Sequence, residues 1–334
     1  MTRRIHLLLL LLSASLAVPA VASASPWTLK KNTVTFRVGA DFQWANQEWL
    51  ITGAYQQFPL NGSYFAANLR GAVRYGITDR LEIGGELALS HVQYDADEIY
   101  FGDPLVPNFD ATTSNAEIAA NITSLDRRAT GVGDVQIYVK YRITPDTIWR
   151  FVATPELHLK IPTGYTRPAG TFQDDDFTEG VADDVTIGDG QLDVTGLMHF
   201  GLIPHPRWFN RLSVGFRLRL FGPGPQVIAS YKTGVRIGTF LIPYGEIALT
   251  HTVAKGKTVG TTFATANPEI PAAEFTADDL LLLEWRPDRS HLQPRFGVIF
   301  VQPKWEVDLS FTTTVWGINV AQVNTVSAGV TIRP

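Results

Sequence analysis

The sequence predicts an all-β chain, an antiparallel transmembrane barrel of about 12 strands, with 14 as the alternative. Three observations carry that expectation. Apolar and polar residues alternate with period two along most of the chain, which gives each strand one apolar and one polar face. Many of the alternating runs reach 11 to 14 residues. Globular strands centre on about 5 or 6 residues, whereas tilted membrane strands need about 9–11 to cross the hydrocarbon. The connections are also unequal, short at 78–80, 144–147 and 238–239 and long at about 95–132, 162–190 and 254–278. Short turns on the periplasmic side and long loops outside are the pattern of outer-membrane barrels.

The runs follow in chain order. Val34, Phe36, Val38, Ala40, Phe42 and Trp44 alternate with Thr35, Arg37, Gly39, Asp41 and Gln43. Phe65 to Ile77 repeats the design, and Thr78-Asp79-Arg80 turns the chain into Leu81 to Leu89. Val135 to Ile143, Trp149 to Ile161, Leu192 to Leu202 and Leu212 to Leu220 come next. Val227 to Ile237, Gly245 to Leu249, Leu280 to Trp285, Phe296 to Phe300, Trp305 to Val315 and Val326 to Ile332 complete the set. About 13 runs result, and single-chain bacterial barrels use even numbers. Either the short Phe296–Phe300 run is false, or one strand near Trp49–Tyr55 is missing from the count.

The chain starts with a basic Met1-Thr2-Arg3-Arg4, an apolar Leu7–Val18 segment and the small-x-small triplet Ala22-Ser23-Ala24. This is the pattern of a Sec signal peptide, 1–24, followed by a single barrel domain, 25–334. An uncleaved anchor helix is the alternative. Sixteen of the 32 acidic residues fall in 95–110, 162–190 and 268–279, so the long loops are acidic.

Composition narrows the function. With no Cys there is no disulfide framework and no thiolate metal site. A net charge of −4 without a basic run argues against nucleic acid. An aromatic content of 11% is too high for a disordered chain. Catalytic spacing is lacking. Ser90 and His91 are adjacent on a strand, so they face opposite ways and cannot pair, and Asp95 gives them no relay. Asp174-Asp175-Asp176 lacks the spacing of a Ca²⁺ loop, and His205-Pro206 reads as a turn. No catalytic, cofactor-binding or metal-binding residue is expected.

Which medium meets the apolar face decides the class. A leader directs the chain to the periplasm, and the strand number exceeds the about eight at which a small barrel fills its interior with side chains. Trp44, Trp149, Trp208, Trp285, Trp305 and Trp316 lie at or beside run boundaries, as an interfacial aromatic girdle requires. The apolar face is therefore assigned to lipid. The opposite face, with Arg70, Arg74, Glu82, Glu86, Lys140, Arg142, Glu156, Arg217 and Arg219, then lines the lumen. Arg70, Arg74, Arg217 and Arg219 are the candidates to meet an anionic solute.

Four blocks carry a resemblance: Leu69–Leu87 (LRGAVRYGITDRLEIGGEL), Gly131–Ile143 (GVGDVQIYVKYRI), Pro155–Gly164 (PELHLKIPTG) and Gly188–Phe200 (GDGQLDVTGLMHF). Their succession resembles the outer-membrane family of transporters assigned to the MetA pathway of phenol degradation. That family is distantly similar to the fatty-acid and aromatic-hydrocarbon uptake barrels. The resemblance implies an outer-membrane location in a Gram-negative bacterium and passive passage of a small solute, hydrophobic and aromatic solutes included. It also implies contact with membrane lipid, lipopolysaccharide and the barrel-assembly machinery. One departure stands out. The chain ends Val330-Thr331-Ile332-Arg333-Pro334, without the terminal aromatic residue that the insertion machinery reads. A non-conducting structural or surface-interaction barrel is the second expectation, and a soluble secreted β-protein the third.

Overall fold

Twelve antiparallel strands, each hydrogen-bonded to its neighbours in sequence, close on themselves. The structure is a computed structural model that describes residues 26–58, 61–95, 99–100, 122–123, 127–145, 150–163, 187–257, 260–265, 280–285 and 288–334. The barrel strands are β1 (Val34–Ala45), β2 (Ser63–Gly76), β3 (Leu81–Asp95), β4 (Val135–Tyr141), β5 (Phe151–Ile161) and β6 (Asp193–His205). They continue as β7 (Trp208–Arg219), β8 (Gln226–Val235), β9 (Leu241–Thr252), β10 (Ser290–Val301), β11 (Trp305–Thr313) and β12 (Asn324–Ile332). Closure is the β1–β12 pairing, in register from Phe36 opposite Ile332 to Trp44 opposite Asn324. In hydrocarbon every backbone N–H and C=O must find a protein partner, and a closed ladder has no unpaired edge.

The chain of thirteen runs resolves differently from the sequence expectation. Phe296–Phe300, the run suspected as false, is the middle of β10. The supernumerary run is Leu280–Trp285, which pairs with Gly260–Thr265 as a separate hairpin between β9 and β10. Near Trp49–Tyr55 there are two short strands, Gln47–Trp49 and Tyr55–Gln57, which join Val320–Ala321 in a small sheet outside the barrel ladder. Two further pieces prolong barrel strands. Arg127–Val132 pairs with β3 ahead of β4, and Trp316–Ile318 pairs with β10 beyond β11.

Local chemistry explains the tight end. Thr78 Oγ1 accepts the backbone N–H groups of Arg80 (3.1 Å) and Leu81 (2.9 Å), so the hydroxyl closes the β2–β3 turn. Gly238 takes φ 62° in the β8–β9 turn, a left-handed conformation that glycine adopts without steric cost. His205 Nδ1 accepts the N–H of Arg207 in the β6–β7 turn, as expected of a turn residue. All these turns lie at the end where β1 starts and β12 finishes.

The faces follow the alternation. Phe36, Val73, Val139 and Leu218 are 49%, 43%, 38% and 47% exposed, whereas Glu82, Thr154 and His199 are 0% exposed. The fold is thus apolar outside and ionic inside, the reverse of a soluble barrel. Among the described residues a small apolar core lies at the long-loop end. There Leu50, Phe58, Tyr64, Tyr94, Val320 and Val323 are buried together, with Phe58 and Tyr94 in edge contact at 6.1 Å.

Candidate functional site

Three ionic clusters stand out among the described residues of the lumen, built by inward positions of the strands and by two residues of the connections, Asp189 and Arg289. The first is centred on Glu82 of β3. Its carboxylate accepts Arg74 Nε at 2.8 Å and Nη2 at 3.1 Å, and Lys140 Nζ lies at 3.0 Å. Tyr138 OH donates at 3.3 Å, and the backbone N–H of Leu29 donates at 2.7 Å. A buried carboxylate is tolerated when paired and hydrogen-bonded in this way.

Leu29 belongs to residues 26–33, which run against the inner wall at the tight-turn end. Thr154 Oγ1 of β5 donates to the Pro26 carbonyl at 2.5 Å, and Thr28 Oγ1 donates to the Asp79 carbonyl at 2.8 Å. Gly201 of β6 makes the approach feasible, because a Cβ there would stand 2.6 Å from Pro26 Cγ. Beside this segment His199 Nδ1 lies 2.8 Å from Ser213 Oγ, and His199 Nε2 lies 3.4 Å from Glu156. The three resemble a nucleophile–base–acid relay. His199 is fully buried, so a substrate would have no access to its ring in this arrangement.

The second cluster lies at the long-loop end. Asp189, between β5 and β6, pairs with Lys160, Arg219 and Arg289, the last at 3.3 Å. Burial pushes the Asp189 carboxyl up, but Lys160, Arg219 and Arg289 outweigh it and hold the group far below the usual carboxylate range. Asp193 accepts Lys160 at 3.1 Å and Arg219 at 3.5 Å, and Arg217 at 4.0 Å. This knot ties the connections before β6 and before β10 to the inner wall.

The third cluster borders a cavity of about 50 Å³ on the β1–β2–β12–β11 wall, lined by Arg37, Asp41, Arg70, Glu86, Arg295 and Asp308 with small residues between them. Arg70 reaches Asp41 at 2.6 Å and Glu86 at 3.5 Å, and Arg37 reaches Asp308 at 3.6 Å. Arg295 Nε donates to Thr312 Oγ1 at 2.9 Å.

The expected lumen residues thus separate into groups. Arg74, Glu82 and Lys140 form the first cluster, Arg217 and Arg219 join the second, and Arg70 and Glu86 border the cavity. Glu156 faces His199, and Arg142 sits past the end of β4, where its Nη2 donates to the Asp79 carbonyl. Of the expected girdle, Trp44 and Trp316 are exposed at the long-loop end, and Trp208 and Trp305 at the tight-turn end. Trp149 lies outside the described residues, and Trp285 lies in the hairpin between β9 and β10. Asp174, Asp175 and Asp176 also lie outside the described residues. Ser90 is buried while His91 turns the other way, to Thr130 at 2.6 Å.

Sequence reasoning missed residues 26–33, Asp189 and Arg289 as lumen groups, since none lies in an alternating run. It also missed Arg211, Glu246 and Arg295. Glu246 follows from the parity of its run, but Arg211 and Arg295 lie just outside the runs read from the sequence.

No family model and no curated protein matches the chain. Solved structures do. The COG4313 outer membrane channel from Pseudomonas putida F1 superposes with a TM-score of 0.60 at 10% identity, covering 93% of this chain and 98% of that one. The NanC porin gives a TM-score of 0.45 at 8% identity, covering 88% of this chain and all of that one. The CymD monoaromatic hydrocarbon channel gives 0.43 at 9%, covering 94% and 92%. At 10% identity the likeness to the Pseudomonas putida structure shows the fold alone, an antiparallel β-barrel.

Proposed function

We propose that the chain is an outer-membrane barrel through which a small solute passes by diffusion. The observation that supports this best is the polar, ion-lined interior with a cavity on one wall, enclosed by an apolar exterior. A lumen of this kind offers a low-dielectric shell with fixed charges, through which water and hydrophilic solutes move. The resemblance in the four sequence blocks and the architecture shared with the Pseudomonas putida channel support the same reading.

In this reading residues 1–24 are a Sec leader, and the apolar face meets outer-membrane lipid. Trp44, Trp208, Trp305 and Trp316 anchor it at the two interfaces, and the long loops face lipopolysaccharide. Arg70, Arg74, Glu82, Glu86, Lys140, Arg142, Glu156, Arg217 and Arg219 set the charge of the lumen. The barrel-assembly machinery inserts the chain into the outer membrane. Hydrophobic and aromatic solutes, expected from the family resemblance, gain no apolar contact from the six charged residues around the cavity.

A second reading is a non-conducting structural barrel. It is favoured by the segment 26–33 inside the lumen and by the Asp189 knot. Purified chain in planar bilayers separates the two. Discrete conductance steps support the channel, and their absence at every voltage, with the barrel shown to be inserted, supports the structural role.

A further inference from the structure

The geometry points to a small-anion subsite on the lumen wall, formed by Lys232 and Arg295 with Arg211 beside them. It rests on the channel reading and deepens it by naming the solute class. Arg211 of β7, Lys232 of β8, Glu246 of β9 and Arg295 of β10 are successive partners in register. All four therefore stand in one row on the inner wall, and adjacent strands are about 4.8 Å apart. The row holds three cations and one carboxylate.

That carboxylate is already engaged. Glu246 binds Arg211 at 2.6 Å. The next nearest acid, Asp308, takes the Tyr244 hydroxyl at 2.9 Å and Arg37 at 3.6 Å. Lys232 is buried, with its ammonium 3.5 Å from the centroid of the Tyr244 ring. Among the described residues, neither Lys232 nor Arg295 has a carboxylate within 4.0 Å, and the protein contact of the Arg295 guanidinium is the Thr312 hydroxyl. Glu246 and Asp308 balance Arg211 and Arg295 around Lys232, so the Lys232 ammonium itself is the positive surplus. A half-desolvated surplus of cations attracts anions more strongly than the same charges would in water. In the Glu82 and Asp189 clusters the cations touch a carboxylate directly, Arg74 and Lys140 on Glu82 and Lys160, Arg219 and Arg289 on Asp189.

Arg295 also lines the cavity, so that end of the row borders open space on the lumen wall. That volume, about 50 Å³, suits a halide or a one-carbon carboxylate rather than an aromatic ring. The shared chemistry is one negative charge on a compact ion.

Reversal potentials across a salt gradient test this, with purified full-length chain in planar bilayers and chloride and formate as the anions in separate arms. Wild type favours the anion over potassium in at least one arm. The preference falls toward unity in Lys232→Gln and Arg295→Gln, survives in Lys232→Arg, and is unchanged in the exposed-loop control Lys255→Gln. Heat-modifiable gel mobility confirms that each variant is a folded barrel. A conducting wild type with no anion preference, or one whose preference persists in the Lys232→Gln/Arg295→Gln double variant, would overturn the subsite. A folded wild type that does not conduct at all would instead contradict the channel reading.

Discussion

The backbone N–H of Leu29 donates to the carboxylate of Glu82 at 2.7 Å, which places the N-terminal segment in the ionic lining of the lumen. Glu82 holds Arg74 and Lys140 in place, and through Leu29 it also holds the segment that lies against the inner wall at the tight-turn end. Solute passing that end must move past this segment.

Locking the segment should therefore suppress conductance. The chain has no Cys, so Pro26→Cys with Gly201→Cys introduces the only thiol pair. A Cβ at Gly201 would stand 2.6 Å from Pro26 Cγ, so the two positions touch, and Pro26→Cys removes the ring atom that a Cβ at 201 would meet. The oxidised variant should conduct less than its reduced form, and deletion of residues 26–31 should conduct more than wild type. Equal conductance in all three states would show that the segment does not restrict the path.

Breaking the Glu82 cluster should destabilise the barrel. Glu82→Ala strands Arg74 and Lys140 without their shared carboxylate, and removing one partner of a buried pair costs about 3–5 kcal/mol. Glu306→Ala removes the exposed pair with Arg333, worth about 0–1 kcal/mol. Urea unfolding in lipid vesicles measures both, and a smaller loss for Glu82→Ala than for Glu306→Ala would contradict the cluster's role.

Charge on the outer face should block assembly. Val214 and Phe216 are exposed on β7, and arginine on a lipid face costs about 2–4 kcal/mol near the midplane. Arg217→Ala should be milder, because Asp193 keeps Lys160 and Arg219. The yield of heat-modifiable barrel reports each variant, and equal damage from Phe216→Arg and Arg217→Ala would reject the face assignment.

The small sheet at the long-loop end should loosen as pH rises. Burial raises the Glu48 carboxyl from its ordinary 4.5 to about 7, against a hydrogen bond from Gln56 that lowers it. A raised value means the folded state holds the proton more tightly. Its stabilisation is complete below pH 4.5 and is lost as pH rises through about 7, on the order of 3 kcal/mol at 1.36 kcal/mol per pH unit. Protection factors of residues 46–58, in which the base-catalysed intrinsic exchange rate is divided out, should fall between pH 5 and pH 8 in wild type and stay level in Glu48→Gln. A level profile in wild type would contradict this.

The barrel was legible because period-two alternation is a local signal that survives in every strand. Leu280–Trp285 misled because four successive leucines satisfy a buried strand without saying which sheet receives them. Phe296–Phe300 looked weak because Pro294, Arg295 and Gly297 interrupt its alternation, yet β9 pairs with it from Thr250 to Leu241. Parity told which positions of a run share a face, but the partners were not legible. Lys160 and Arg289 meet at Asp189 only after closure brings distant strands together. Residues 26–33 have no periodicity, so their place inside the barrel follows from contacts such as that of Thr154 with Pro26.

Single-cysteine labelling in lipid vesicles tests the orientation of the two faces most directly, since the wild-type chain offers no thiol background. Val38→Cys and Leu218→Cys should resist a small water-soluble thiol reagent, and nitroxide lipids should quench a fluorophore attached there. Ser327→Cys, beside the cavity, should react with the aqueous reagent. The inverse pattern, with Ser327→Cys shielded and both apolar positions open to water, would contradict a barrel that turns its charges inward.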